Sequence, residues 1–225
     1  MWTKICANTN SADARLAADL GASAVGFVFA PSSRRVSPAD ARAIGADLPP
    51  SVERIGVFVT EAADEIIEAV DRANLTGVQL HSRFNADLVR NLHHATGGRV
   101  ALIQVVHWDL TPGEPPPAES LRKHLRQIQQ QPSIHPVLRV LIDARTGAAS
   151  GGTGITFDWK AAAEVFEAEL GDLPLIVAGG LRPENVREAI DQMQPWGVDV
   201  ATGVESSPGN KDPRKLEAFL RKASL

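Results

Sequence analysis

Residues 24–40 read AVGFVFAPSSRRVSPAD, and this stretch decides the fold. Val25-Gly26-Phe27-Val28-Phe29 is apolar on both faces, the pattern of a strand with no solvent side. A turn-rich segment carrying Arg34 and Arg35 follows. Ser37-Pro38-Ala39-Asp40 then offers an N-cap Ser, a Pro at the first helical position and an acid in the first turn. Strand, loop and helix make one βα unit. Moving outward in both directions, the unit recurs: short apolar runs at 4–6, 24–29, 54–59, 77–80, 100–106, 137–142, 174–178 and 197–200 each lead into a stretch of helical period. Further helix starts stand at Ser11-Ala12-Asp13, Thr60-Glu61, Asp158-Trp159-Lys160 and Asp212-Pro213. Eight such units in 225 residues, with no long linker, predict an α/β fold, a single small (β/α)8 TIM barrel over residues 1–225, in preference to an open doubly wound sheet.

One segment departs from this economy. Residues 107–118, HWDLTPGEPPPA, hold four prolines in twelve positions and are expected to form a loop after the fifth strand, either a stiff surface excursion or a lid. A second turn-rich patch, 131–136, joins the fifth helix to the sixth strand. Composition narrows the function. With 27 acidic against 23 basic residues the net charge is -4, which argues against a nucleic-acid footprint and for a small ligand. The lone Cys6 excludes an internal disulfide and fits a reducing compartment, so a cytoplasmic location is expected. No run approaches the length of a membrane span and the N-terminus has no leader pattern, so no membrane partner is expected.

In a barrel of this kind the chemistry sits at the C-terminal ends of the strands. Cys6 ends the first run; a lone Cys is more often a small buried residue than a nucleophile or base, and its position leaves both readings open. Asp143 closes Leu141-Ile142-Asp143, where a carboxylate is either hydrogen-bonded structurally or poised for proton transfer. His81 is an acid or base, or a satisfied structural imidazole. Gly179-Gly180 follows the seventh run and Thr202-Gly203 the eighth, where barrels commonly hold a phosphate against backbone amides. Arg182-Pro183-Glu184 is expected to begin a helix whose positive end adds to that site. Ser150 to Gly154 reads as a flexible loop without the ending of a P-loop.

The segments Lys4-Ile5-Cys6, Gly26 to Pro31 with Arg34, Gly56 to Val59, Val78-Gln79-Leu80-His81, Leu141 to Ala144, Gly151-Gly152-Thr153-Gly154, Ala178 to Leu181, and Gly197 to Val200 running into Gly203-Val204-Glu205, in this order, resemble the phosphoribosylanthranilate isomerase family of tryptophan biosynthesis. The resemblance runs from Lys4 to about Ala223. It implies a (β/α)8 barrel that carries out the Amadori rearrangement of N-(5'-phosphoribosyl)anthranilate with no cofactor and no metal. It assigns Asp143 as general acid and Cys6, as thiolate, as general base, a tuning that cations such as Lys4 are expected to assist. It further gives Arg34, or in a loop one residue shorter Arg35, to the anthranilate carboxylate, Asp199 to the amine side of the substrate, and Gly179, Gly180, Thr202 and Gly203 to the phosphate. The expected partner is thus a small phosphorylated molecule; the sequence leaves the oligomeric state open. Four positions depart from the family pattern: Ala7 and Ser82 stand where Gly is usual, Ile155 where a basic residue is common, and Ala201-Thr202 where a Ser pair is. Ala7 puts a Cβ where a Gly suits an unusual backbone or a close approach. Two alternatives stand beside this reading: a related aldose-ketose isomerase of altered substrate range, and a catalytically silent barrel that binds a phosphorylated metabolite.

Overall fold

The computed structural model describes every residue except 132, 134–137, 147–148, 151–155 and 225. Among the described residues, parallel strands β1 (Trp2–Ile5), β2 (Ala24–Val28), β3 (Glu53–Phe58), β4 (Gly77–Leu80), β5 (Ala101–Asp109), β6 (Leu138–Thr146), β7 (Leu175–Val177) and β8 (Gly197–Val200) pair in chain order. The pairing of β1 with β8 closes the barrel, with Lys4 opposite Asp199. Helices α1 (Ser11–Asp19), α2 (Pro38–Gly45), α3 (Ala63–Ala73), α4 (Ala86–Ala95), α5 (Pro117–Gln129), α6 (Trp159–Glu169), α7 (Val186–Met193) and α8 (Pro213–Ala223) follow the strands in turn. No helix among them is long and apolar enough to cross a membrane. A short antiparallel hairpin, Glu205–Ser207 with Asn210–Lys211, lies between β8 and α8.

The predicted caps largely form. Ser37 and Asp40 make a reciprocal capping box ahead of Pro38, and Asp158 and Asp212 accept from amides in the first turns of α6 and α8. Thr60 does not start α3: its hydroxyl accepts from Ala62 N, and the helix begins at Ala63. The proline-rich loop is shorter than expected. Strand β5 continues through His107, Trp108 and Asp109, paired with Asp143, Ala144 and Arg145, and Trp108 stacks on Phe157. Pro117 opens α5, where a missing N–H costs nothing, so the connection occupies only 110–116. Helix α7 also begins later than expected, at Val186, because Asn185 first closes a turn, accepting from Arg182 N and donating to Gly180 O.

Strand alternation sorts the core into two layers. Phe27, Leu80, Leu102 and their neighbours face the helices. Ala24, Ile55, Ile103, Val105, Leu141 and Ile176 fill the barrel interior. At the N-terminal end Trp2 stacks on Trp196, and Arg139 lies over both rings while its guanidinium pairs with Glu53. Toward the C-terminal ends of four strands, β1, β4, β6 and β8, polar groups take their place in the core: Lys4, Gln79, Asp143 and Asp199 are all buried. They lie at or below the mouth.

Candidate active site

A cavity of about 370 Å³ opens at the C-terminal ends of the strands, within the range of small-molecule sites. Cys6, Arg34, Asp143, Asp199, Gly179, Gly180 and Thr202 all border it; the structure therefore brings together residues spread over nearly the whole chain.

Cys6 follows β1 directly, its amide donating to Val200 O at 2.8 Å. Gly26 on β2 leaves room for the thiol, since a Cβ there would stand 2.7 Å from Cys6 Sγ. Burial pushes the Cys6 thiol up, with the Asp199 carboxylate adding to the rise, and outweighs the opposite pull of Lys4 and Lys211. The cation does assist the thiolate, as the sequence led one to expect, but loss of water costs the thiolate more than the cation returns. Ala7, next in the chain, has φ 61° and is buried, so the methyl does sit in a left-handed backbone that favours Gly.

Asp143 shows the tuning the sequence demanded. Burial, reinforced by the Asp199 charge, pushes its carboxyl up to about 7 against the Ala144 amide and Lys4. Asp199, which borders the cavity, uses one oxygen to accept from Lys4 Nζ at 2.8 Å, while Oδ1, buried, has no partner among the described residues. Lys4 is wholly buried; burial opposes its charge, yet the Asp199 carboxylate and Cys6 hold it above its ordinary value. An unpaired buried carboxylate oxygen of this kind calls for a donor from a ligand.

Arg34 borders the cavity, whereas Arg35, its backbone bridged to Val28, does not. The guanidinium is already partly used: Nε and Nη2 donate to Glu205 at 2.9 and 2.6 Å. Glu205 appeared in the sequence only as part of a motif, and Lys211, which joins the same cluster, carried no signal at all. His81 also borders the cavity, but burial and the neighbouring His107 push it down to about 3, and its Nε2 is unpartnered among the described residues. It is neither a charged acid at neutral pH nor a satisfied imidazole.

The glycine loops form one wall. Gly179 and Gly180 have φ 81° and 65°, and their amides donate to no acceptor among the described residues. A Cβ on Gly179 would stand 2.7 Å from Ala144 N and 3.1 Å from Asp143 Oδ1, so only Gly passes so close to the carboxyl. Gly203 does not border the cavity; a Cβ on it would overlap Leu181 O, and it locks the two loops together. Gly151 to Gly154 and Ile155 lie outside the described residues.

Fold and site together define a (β/α)8 barrel with a protonatable carboxyl and a thiol bordering one cavity at the strand ends. The chain belongs to the N-(5'-phosphoribosyl)anthranilate isomerase family, whose model matches residues 3–110 and 117–222. The gap falls in the proline-rich connection. A protein of Thermotoga petrophila named N-(5'-phosphoribosyl)anthranilate isomerase is 37% identical over 98% of this chain and 97% of its own. The crystal structure of phosphoribosyl anthranilate isomerase from Thermotoga maritima superposes with a TM-score of 0.82 at 35% identity, covering 100% of this chain and 98% of that one. Another, of the enzyme in complex with reduced 1-(o-carboxyphenylamino)-1-deoxyribulose 5-phosphate, gives 0.80 at 34% identity with the same coverage.

Proposed function

We propose that this protein isomerises N-(5'-phosphoribosyl)anthranilate to 1-(2-carboxyphenylamino)-1-deoxyribulose 5-phosphate. The observation that carries the reading is Asp143, a carboxyl held near 7 at the mouth of a barrel, facing the same cavity as Cys6. Asp143 donates its proton to the furanose ring oxygen, the C1–O bond breaks, and the nitrogen lone pair closes a protonated imine. The Cys6 thiolate takes the proton from C2. The resulting enolamine gains a proton at C1 and loses the C2 hydroxyl proton, giving the ketone. Each side chain handles one proton, work that contributes about 10²–10⁴-fold in rate.

The remaining groups hold the substrate. The amides of Gly179 and Gly180, which donate to no acceptor among the described residues, face its phosphate with Thr202. The open edge of Arg34 meets the carboxylate, and Asp199 Oδ1 accepts from the anilino nitrogen, which answers its missing partner. Gly203 acts from behind by fixing the loops. A cytoplasmic location accords with a lone, buried thiol. The test is to add the purified protein to freshly generated phosphoribosylanthranilate and identify the product by NMR. Formation of the aminodeoxyketose phosphate supports the reading, and an unchanged substrate with the protein folded refutes it in favour of an isomerase of altered substrate range or a silent barrel.

A further inference from the structure

The hairpin after β8 carries two buried charges that the reaction steps do not use. Glu205 accepts from Arg34 Nε and Nη2 along one side of the guanidinium fork. Its Oε1 also accepts from Gly209 N at 3.2 Å and from Lys211 Nζ at 3.3 Å. Lys211 Nζ donates in addition to Cys6 O at 2.6 Å and to Ala201 O at 3.4 Å, so three acceptors meet the three ammonium protons. The Lys211 and Glu205 side chains are 0% and 5% exposed, against 19% for Arg34.

Counting charge in this cluster gives it a purpose. Arg34 and Glu205 alone form a neutral pair, which has no excess attraction for an anion. Lys211 adds one positive charge. Asp13, which accepts from the Lys211 amide, and Lys215, which donates to Glu205 O, offset one another. We propose that Glu205 and Lys211 are the positioning residues for carboxylate recognition. Glu205 holds Arg34 by its Nε side so that the Nη1 edge faces the cavity, and Lys211 leaves the cluster with the single positive charge that an aryl carboxylate neutralises. Neither residue touches the carboxylate. The inference rests on the reading of Arg34 given above, and it extends that reading to why the site prefers an aryl amine bearing an acid.

The experiment is calorimetric titration of two ligands, reduced 1-(2-carboxyphenylamino)-1-deoxyribulose 5-phosphate and its carboxyl-free anilino counterpart, against the wild type, Lys211→Met, Glu205→Gln and the double variant. The expected result for Lys211→Met is about tenfold or greater weakening of the carboxylate ligand with the anilino ligand little changed. The double variant, which restores a single positive charge through Arg34 alone, recovers part of the preference. Equal weakening of both ligands in Lys211→Met, or a double variant that prefers the acid no more than Lys211→Met does, overturns the inference and leaves the reading of Arg34 intact. A wild type that binds both ligands equally overturns that reading, and this inference with it. Should Lys211→Met not fold, the double variant, which also removes the carboxylate charge that Lys211 Nζ meets, is compared with Glu205→Gln instead. The double variant is then expected to bind the acid about tenfold more weakly, and equal affinities contradict the proposal.

Discussion

Asp143 and Cys6 face opposite demands, and burial serves only one of them. Loss of water raises both groups, so between about pH 7 and the ordinary thiol value the resting protein holds its carboxylate ionised and its thiol protonated, the reverse of the distribution the proposed reaction uses. Turnover then comes from the minority form with the proton on Asp143, and kcat/KM is expected to follow a bell whose acid limb lies near 7 and whose alkaline limb lies above the ordinary thiol value. A pH–rate profile flat between about 6 and 9, from roughly one unit below the expected limb to two above it, would contradict this. The same shift has a stability consequence. The folded Asp143 titrates above its unfolded value of about 3.9, so its contribution is fully present below about pH 4 and is lost as pH rises through about 7. Asp143→Asn is therefore expected to melt higher than the wild type at pH 8 by a few kcal/mol of stability, with the difference shrinking toward pH 4. Thermal scans at both pH values check it; a lower melting point for the variant at pH 8 would show that the carboxylate is better solvated than its burial implies.

At the scale of elements, the two ends of the barrel divide the labour. Strand C-termini carry the groups assigned by the proposal to the reaction, while the N-terminal end is sealed by the Trp2–Trp196 stack, Arg139 and Glu53. Arg139→Met removes a cation over two rings and the partner of a carboxylate, and should cost about 1–3 kcal/mol by denaturant unfolding while leaving kcat/KM unchanged. A comparable loss of turnover would show that the two ends are coupled. The eight strands were legible because both faces of each are buried and turn chemistry punctuates them. Their ends were less so: β5 runs to Asp109 because β6 pairs with it, and no local signal at His107 announces a partner that begins at Leu138. The start of α7 was missed for a similar reason, since Asn185 closes a turn with Gly180 that three polar residues alone do not specify.

Over the whole molecule, the rule that places barrel chemistry at strand ends singled out Cys6, Asp143, Asp199 and the Gly179-Gly180 loop from sequence, and the structure gathers them round one cavity. It could not find Glu205 as the partner of Arg34, 171 residues away, nor Lys211, which reads as one more surface lysine near a C-terminal helix. Nor could it rank burial against Lys4 at Cys6, because that balance depends on how much water the closed barrel excludes. Gly203 was placed at the right loop for another purpose, the close passage of Leu181. The central claim is that one carboxyl and one thiol, delivered to a common cavity by strands 137 residues apart in the chain, move the two protons of an Amadori rearrangement. The measurement that tests it most directly is the decay of phosphoribosylanthranilate fluorescence under wild type, Cys6→Ala and Asp143→Asn, with folding of each verified. The account predicts turnover by the wild type and a loss of about 10²-fold or more in each variant. Undiminished decay in either variant, with both folded, would contradict it.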